Sequence, residues 1–298
     1  MSRRVVAQAP GKINPILRVG PLTGEGYHEL FTLFHALDIW ETVEVSDATE
    51  YRLTLEGSVP LGDVPLDESN LVVKGAKALA AEIGHDGAAT LHIQKAIPVG
   101  GGMGGGSADA AAALVALNEL WGSQADSQTL HRIALSLGAD VPFALFGASA
   151  LGRGYGGDLT RVHSGLFHWV LLPVDHHLST PRVYRRLDEL RAGHRELLPQ
   201  ELPEPLLHAL AAGDPLALAD HLHNDLASAA VDLHPPIATR LLEGERAGAL
   251  WSMVSGSGPT CVLLARDAEH QSELVERLGP GGPAPLPTVS SPLGAHLV

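Results

Sequence analysis

The chain contains very little cysteine and has no long apolar run. Its 298 residues include one cysteine, Cys261, so an internal disulfide is excluded, which fits a reducing cytoplasm. Cys261 lies in the apolar run 260–264, a pattern typical of a buried strand rather than of a reactive thiol. No stretch approaches the roughly 18 consecutive apolar residues of a membrane span, and no apolar signal segment follows residues 1–4. We therefore expect a cytoplasmic protein without a membrane partner.

Positive charge is also scarce. The formal net charge is -14, and only four of the 20 basic residues are lysines. An acidic surface repels phosphate backbones, so we expect no nucleic-acid partner. A polyanionic small ligand would instead need backbone amides, a metal ion and a few cations. With 45% hydrophobic residues the chain can bury a substantial core.

The distribution of hydrophobic residues predicts an α+β protein. Alternating or β-rich runs predict strands at 5–9, 13–19, 32–39, 42–46, 51–55, 89–94 and 167–174, with further strands near Trp251 and Cys261. Helical patterns cover 70–83, 107–121, 127–137, 180–191, 205–212, 215–230 and 267–278. A glycine-rich stretch at 147–165 precedes a renewed strand pattern. We place a domain boundary there, with domains at 1–158 and 159–298.

A glycine-rich segment joins the predicted strand 89–94 to the helix that follows it. Six of the seven residues from 100 to 106 are glycine. Without Cβ atoms the backbone N–H groups can approach an anion closely, and the helix start adds unpaired amides and a positive dipole end. A phosphate-binding loop is therefore predicted, with contacts from Pro98, Gly100, Gly101, Gly102, Met103, Gly104, Gly105, Gly106, Ser107 and Ala108.

Other interpretations of this segment are weaker. A mobile linker would seldom lead directly into such a well-defined helix start. The spacing Gly100-x-Gly102-x-x-Gly105 matches a dinucleotide fingerprint, but no acidic residue ends a strand about twenty residues later. A Walker loop requires a following Gly-Lys-Ser/Thr, which is missing. A serine-hydrolase elbow fails because neither Ser107 nor Ser257 has both flanking glycines.

Three segments together resemble the GHMP small-molecule kinase superfamily. They are Ala-Pro-Gly-Lys-Ile-Asn at 9–14, the loop at 98–108, and Ser-Gly-Ser-Gly-Pro-Thr at 255–260. The resemblance implies a two-domain α+β architecture, with an N-terminal ATP-binding and catalytic domain and a C-terminal substrate-side domain. It also implies ATP and Mg²⁺ as cofactors and a small-molecule alcohol as substrate. Many relatives carry a second serine where this chain has Ala108, which leaves Ser107 as the hydroxyl at the helix start.

Within the superfamily, segments 26–30, 138–142 and 224–226 resemble the branch that acts in non-mevalonate isoprenoid synthesis. That likeness implies phosphorylation of the 2-hydroxyl of a cytidine diphosphate-linked methylerythritol. Two alternatives stay open. The chain could be another GHMP kinase, acting on mevalonate, homoserine or a sugar, or a non-catalytic ligand sensor on the same fold.

Phosphoryl transfer requires alignment, charge neutralisation and a group that takes the hydroxyl proton. By the resemblance, Asp140 is the general base, and Lys12 stabilises the developing alkoxide. A turn or cap aspartate and an exposed strand-end lysine are the structural alternatives. Asn14 lies on the same strand face as Lys12 and could orient the substrate.

The resemblance also assigns ligand-binding side chains. It places Tyr27, His28, Thr180 and Tyr184 at the cytosine end of the substrate, and Asn70, Leu71 and Lys95 at the adenine of ATP. Stacking and edge hydrogen bonds suit a pyrimidine, although a tyrosine in a helix more often serves packing. The 16 histidines include the pairs 176–177 and 221/223, whose spacing does not suit metal binding, so we expect no protein metal site beyond Mg²⁺ carried by ATP.

Overall fold

The structure is a computed structural model that describes residues 3–24, 26–62, 64–122, 124–192, 198–279 and 282–298. Its strands are β1 (Arg4–Leu22), β2 (His28–Ala48), β3 (Arg52–Gly57), β4 (Ala88–Lys95), β5 (Ser149–Gly154), β6 (Asp158–Val162), β7 (His168–Leu172), β8 (His223–Asn224), β9 (Trp251–Val254), β10 (Cys261–Ala265), β11 (Leu286–Val289) and β12 (His296–Leu297). Its helices are α1 (Leu71–Ile83), α2 (Gly105–Leu120), α3 (Ser127–Leu137), α4 (Val141–Phe146), α5 (Thr180–Arg191), α6 (Glu204–Ala212), α7 (Pro215–Ala219), α8 (Ala227–Leu233), α9 (Pro236–Ala247) and α10 (Ala268–Arg277).

Two sheets organise these elements. The larger has the order β12-β1-β2-β4-β3, with β5 and β6 extending from β2 and the short β8 beside β1. The smaller has the order β11-β7-β10-β9. The predicted α+β class is confirmed. No helix in the described ranges is both long enough and apolar enough to cross a bilayer.

The first strands are longer than the sequence pattern predicted. Four predicted strands are in fact two, β1 and β2, which pair antiparallel along almost their whole length. Register shifts at Pro10/Gly11 and between Ile13 and Ile16 absorb the residues that looked like strand breaks. A bulge lets the strand continue beyond a Pro-Gly pair while changing its direction. The bulged part of β1 therefore carries Lys12 and Asn14 past the glycine loop.

Helix α2 forms the centre of the main core. Ten of its 16 residues are buried, six of them alanines. Small side chains allow the helix to lie close against β1 and β2, with α1 and α4 beside it. The helix begins two residues earlier than predicted, at Gly105, so the last glycines of the loop belong to its first turn.

The predicted helices α1, α3, α5, α6 and α10 are confirmed within two residues at each end. The single helix predicted at 215–230 is wrong. That segment forms α7, then a bridge at His223–Asn224 parallel to β1, then α8. The side-chain amide of Asn224 donates to the carbonyl of Val254, and its oxygen accepts from the N–H of Leu226. These bonds interrupt the helix, and the hydrophobic pattern of segment 215–230 did not reveal the interruption.

The chain after residue 158 contributes to both sheets. Strand β6 pairs with β5, and β12 pairs with β1, so both belong to the larger sheet, whereas β7, β9, β10 and β11 form the smaller one. Cys261 is buried in β10 as predicted, and burial raises the pKa of its thiol to about 12. The boundary at residue 158 stays a prediction.

Candidate active site

A cavity of about 1060 Å³ lies along the glycine loop. Most of the residues predicted from the sequence line it, namely Lys12, Asn14, Asn70, Leu71, Lys95, Pro98, Gly100, Gly101, Gly102, Met103, Gly104, Gly105, Gly106, Ser107, Asp140, Thr180 and Tyr184. Its volume is at the upper end for small-molecule sites, which suits two ligands side by side. The structure therefore brings residues from both halves of the chain to one place.

The glycine loop requires glycine at defined positions. Gly100, Gly102 and Gly104 have φ values of 69, 78 and 72°. A Cβ atom on Gly102 would lie 2.2 Å from the carbonyl oxygen of Ser255. Both the backbone conformation and the close approach exclude larger residues there.

The start of α2 faces the cavity with open amides. Its N-cap, Gly104, provides no side-chain hydrogen bond, and the first turn contains no acidic residue. The amides of Gly105, Gly106 and Ser107 have no intrahelical acceptor, so they are available to an anion. Ala108 is different, because it is fully buried and its N–H donates to the carbonyl of Gly104 at 2.8 Å. This residue lies behind the cavity wall.

The segment 255–260 supports the glycine loop from behind. The Ser255 hydroxyl donates to the Gly102 carbonyl at 3.2 Å. The Asn224 amide donates to the carbonyls of Val254 and Gly256 at 2.8 and 2.7 Å. The motif that resembled a kinase signature thus positions the glycine loop and lines the cavity with Gly256 and Ser257.

Lys12 and Asp140 form an ion pair, and both residues line this cavity. The Nζ atom of Lys12 lies 3.3 Å from Oδ2 of Asp140 and donates to Oδ1 of Asn14 at 2.8 Å. The Asn14 amide donates to the Thr32 hydroxyl at 2.9 Å. Lys12 is also tied to the loop, since its backbone N–H donates to the Met103 carbonyl at 3.1 Å.

Asp140 does not act as a side-chain cap. It occupies the N-cap position of α4, yet its carboxylate accepts no hydrogen bond from that helix. The carboxylate is about one-third exposed and faces Lys12, which is nearly buried. A carboxylate left free at this position can accept a proton from a ligand.

Lys95 lies in a buried charge cluster beneath the loop. Its Nζ atom lies 2.6 Å from Oε1 of Glu41 and 2.7 Å from Oδ2 of Asp109. Burial and the nearby charge of Asp109 raise the pKa of Glu41 to about 7, and burial raises the pKa of Asp109. Burial opposes the charged form of Lys95, but the charges of Asp109 and Glu41 outweigh it and raise its pKa.

The cluster connects β2, β4 and α2 beside the glycine loop. Glu41 on β2 also accepts from the N–H groups of Ala96 and Ile97, at 3.0 and 3.3 Å, just before the loop. Asp109 belongs to α2, so Lys95 fixes the helix start against the strands. The sequence analysis assigned neither Asp109 nor Glu41 to the site, since nothing in the patterns of α2 and β2 marks these buried carboxyl groups.

Asn70 and Leu71 lie at the other side of the cavity. Asn70 is the N-cap of α1: its Oδ1 accepts from the N–H of Val72, and its Nδ2 donates to the Pro65 carbonyl at 2.7 Å. The oxygen and the nitrogen of its side-chain amide are therefore both hydrogen-bonded within the protein. Asn70 shapes the wall of the cavity, and Leu71 contributes apolar surface beside it.

The predicted cytosine residues cluster at one end of the site. The His28 ring packs against Tyr184 with a centroid separation of 5.1 Å. Burial and then the charge of Asp140 raise the pKa of Tyr184. Tyr27 is 66% exposed and meets Tyr155 edge-on, and the Thr180 hydroxyl lies 2.9 Å from that of Ser257. Neither Tyr27 nor His28 lines the cavity, although His28 packs on Tyr184, which does.

Two histidines near the loop were not predicted to belong to the site. His176 and His177 both line the cavity. The His177 ring lies against Gly100, and His176 stacks on His234 at 4.0 Å. Among the described residues no group of three or more His, Cys, Asp or Glu side chains is arranged to hold a metal ion.

Comparisons with known proteins identify the family of this chain. The family model for the GHMP kinases N terminal domain matches residues 70–148, and that for the GHMP kinases C terminal matches 206–281. A 4-diphosphocytidyl-2-C-methyl-D-erythritol kinase of Nocardioides sp. is 46% identical over 98% of this chain and 99% of its own. The chain belongs to the GHMP kinases.

Solved structures of GHMP kinases have the same fold. A crystal structure of a 4-(cytidine 5'-diphospho)-2C-methyl-D-erythritol kinase is 31% identical, with a TM-score of 0.76, over 98% of this chain and 100% of the other. A homoserine kinase from Cytophaga hutchinsonii has a TM-score of 0.74 at 19% identity, over 99% and 97% of the two chains, and shows the fold alone. The two-domain GHMP kinase fold is confirmed, and the protein is an ATP-dependent small-molecule kinase.

Proposed function

We propose that this GHMP kinase transfers the γ-phosphoryl group of ATP to the 2-hydroxyl of 4-diphosphocytidyl-2-C-methyl-D-erythritol. The observation that carries the proposal is the Lys12–Asp140 pair, 3.3 Å apart, beside open helix amides on one side and the His28–Tyr184 pair on the other. In this proposal the phosphates lie at the helix amides, the acceptor hydroxyl at the Lys12–Asp140 pair, and the pyrimidine near Tyr184. The high identity to curated kinases with this substrate in their name supports it.

The glycine loop would hold the phosphates of ATP. Amides at the start of α2 point into the cavity and cost no reorganisation when negative charge arrives. Asn70, Leu71 and the apolar residues near them would receive the adenine. Lys95 would contribute indirectly, because both neighbouring carboxylates already engage its ammonium.

Asp140 would act as the general base. Its carboxylate would accept the proton of the 2-hydroxyl as the substrate oxygen attacks the γ-phosphorus and the bond to the ADP oxygen breaks. The new phosphate ester and ADP leave, and the proton is later released to solvent. Such a positioned base typically contributes about 10²- to 10⁴-fold to the rate.

Lys12 would stabilise the charge that develops on the attacking oxygen. Its ammonium is held by Asp140 and Asn14, so it is oriented before the substrate arrives. Because the side chain is nearly buried, its charge acts through a lower effective dielectric than at the surface. Asn14, fixed in turn by Thr32, would position the Lys12 ammonium and the substrate hydroxyls.

Mg²⁺ would bind with ATP. This cation usually keeps several waters and binds through phosphates and one or two protein oxygens. The residues present fit that mode, since Ser107 supplies a hydroxyl at the start of α2 and lines the cavity. When bound, the ion would neutralise negative charge on the transferred phosphoryl group.

A coupled ADP-release assay tests the proposal. Purified protein with Mg-ATP should turn over 4-diphosphocytidyl-2-C-methyl-D-erythritol, and turnover with mevalonate, homoserine or a hexose should be at least about 10³-fold slower in kcat/KM. Preferred turnover of one of those three would move the protein to another GHMP activity. Binding of both ligands in calorimetry without ADP formation over hours would indicate a sensor instead.

A further inference from the structure

We propose that Asp188 is a positioning residue that makes this kinase select a 4-aminopyrimidine over a 4-oxopyrimidine. This inference rests on the proposed function, since it concerns how the cytosine of that substrate is recognised. Its basis is the hydrogen bond between His28 Nε2 and Asp188 Oδ1, 2.9 Å long, behind the predicted base site.

The imidazole of His28 is held on two sides. Its side chain is only 8% exposed, and its ring packs on Tyr184 at 5.1 Å. Nε2 faces the Asp188 carboxylate, whereas no residue in the described ranges bonds Nδ1. The protein therefore holds one nitrogen of this nearly buried ring, and in this assignment the other nitrogen meets the base.

Asp188 determines which nitrogen carries the proton. An ionised carboxylate only accepts hydrogen bonds, so the nitrogen beside it must carry the hydrogen. In a neutral imidazole the second nitrogen is then an acceptor. With Nε2–H directed at Asp188, Nδ1 presents a lone pair to the base.

A lone pair at Nδ1 distinguishes the two pyrimidines. Cytosine has an amino group at C4, which can donate to Nδ1, whereas uracil has a carbonyl oxygen there, which would face the lone pair without a hydrogen. A buried polar group left without a partner is costly, so the mismatch should reduce affinity by about tenfold or more.

Asp188→Asn tests the inference, because an amide can either accept or donate and so permits both imidazole tautomers. We expect the ratio of kcat/KM for the cytidine substrate to that for its uridine analogue to fall by about tenfold. The KM for ATP should be unchanged. Asp188→Glu, which restores an acceptor-only carboxylate at a 40% exposed position, should recover the selectivity.

Glu189→Gln is the matched control. Glu189 is the next residue of α5, but its carboxylate pairs with Arg186 on the helix surface. Its removal should leave the selectivity unchanged. The His28 tautomer is measured independently by ¹⁵N NMR of the imidazole at pH 8, where wild type should show the Nε2–H form and Asp188→Asn a mixture.

The outcomes separate the two proposals. If wild type does not phosphorylate the cytidine substrate, the proposed function fails, and the NMR experiment still tests whether Asp188 fixes the tautomer. If wild type is active but Asp188→Asn keeps both its selectivity and the Nε2–H form, the role of Asp188 is refuted alone. A variant that loses turnover for both pyrimidines equally, without a tautomer change, also contradicts it.

Discussion

The Nζ atom of Lys12 lies 3.3 Å from Oδ2 of Asp140, so the bulged part of β1 and the start of α4 meet at one point of the cavity. Neither residue is used elsewhere as a surface ion or as a helix cap. Lys12 is tied to the glycine loop, because its backbone N–H donates to the carbonyl of Met103.

Lys12→Met should therefore impair catalysis. The variant keeps the apolar stem of the side chain but removes the positive charge that would stabilise the developing alkoxide. We expect kcat to fall by at least about 10²-fold while ATP binding changes little. Steady-state kinetics and calorimetry measure the two quantities separately.

Lys77→Met is its control, since Lys77 pairs with Glu68 on the exposed side of α1. That variant should retain wild-type kcat. Equal losses in the two lysine variants would show that a general loss of positive charge, rather than the position of Lys12, is responsible.

Gly102→Ala should destabilise the fold. The new Cβ would lie 2.2 Å from the Ser255 carbonyl oxygen in a backbone with φ of 78°. Strain and overpacking together should lower the free energy of unfolding by at least about 2 kcal/mol. Urea denaturation followed by circular dichroism measures this change.

Gly106→Ala separates folding from phosphate binding. A Cβ at Gly106 meets nothing within 4 Å, and the residue is already helical. The variant should fold at least as well as wild type, since alanine favours the helix, yet its methyl group would enter the space where ATP phosphates approach. Weaker ATP binding with unchanged stability is expected, and unchanged ATP affinity would place the phosphates elsewhere.

The cluster of Glu41, Lys95 and Asp109 should make stability depend on pH. The pKa of Glu41 is raised from 4.5 to about 7, so the folded protein retains this proton where the unfolded chain has lost it. Between about pH 4.5 and 7 the folded state binds more protons, and the free energy of unfolding decreases as pH rises.

Glu41→Gln removes this proton equilibrium. From pH 5 to 7 the variant should gain stability relative to wild type by about 1 to 3 kcal/mol. Urea unfolding of both proteins at several pH values measures the difference. Parallel stability curves would show that Glu41 is ionised throughout that range.

Local signals in the sequence predicted much of the fold. Helix α3 was predicted to the residue, because Asp126 caps its start and Gly138 follows its end. The glycine loop was predicted from its composition and from the helix start that follows it, whereas Lys12 and Asp140 were assigned from the resemblance to the GHMP kinases and Asn14 from its place on the strand face of Lys12. Their mutual placement within one cavity agrees with that prediction.

Features that depend on distant contacts were not predictable. The break in helix 215–230 arises because Asn224 bonds to Val254 and Gly256, residues far along the chain. Glu41 looks like an ordinary strand residue until Lys95 and Asp109 are placed around it. The role of Asp188 could not be predicted either. An acidic residue on α5 is expected at the surface, and only the folded structure brings His28 against it.

The most direct test of the account is the single-turnover rate of phosphoryl transfer in Asp140→Asn. The substitution keeps the shape of the side chain but removes its ability to accept the hydroxyl proton. With Mg-ATP and the cytidine substrate bound, we expect a rate at least about 10²-fold below wild type and an ATP dissociation constant within about threefold. A near-normal rate would contradict the assignment of Asp140 as the general base.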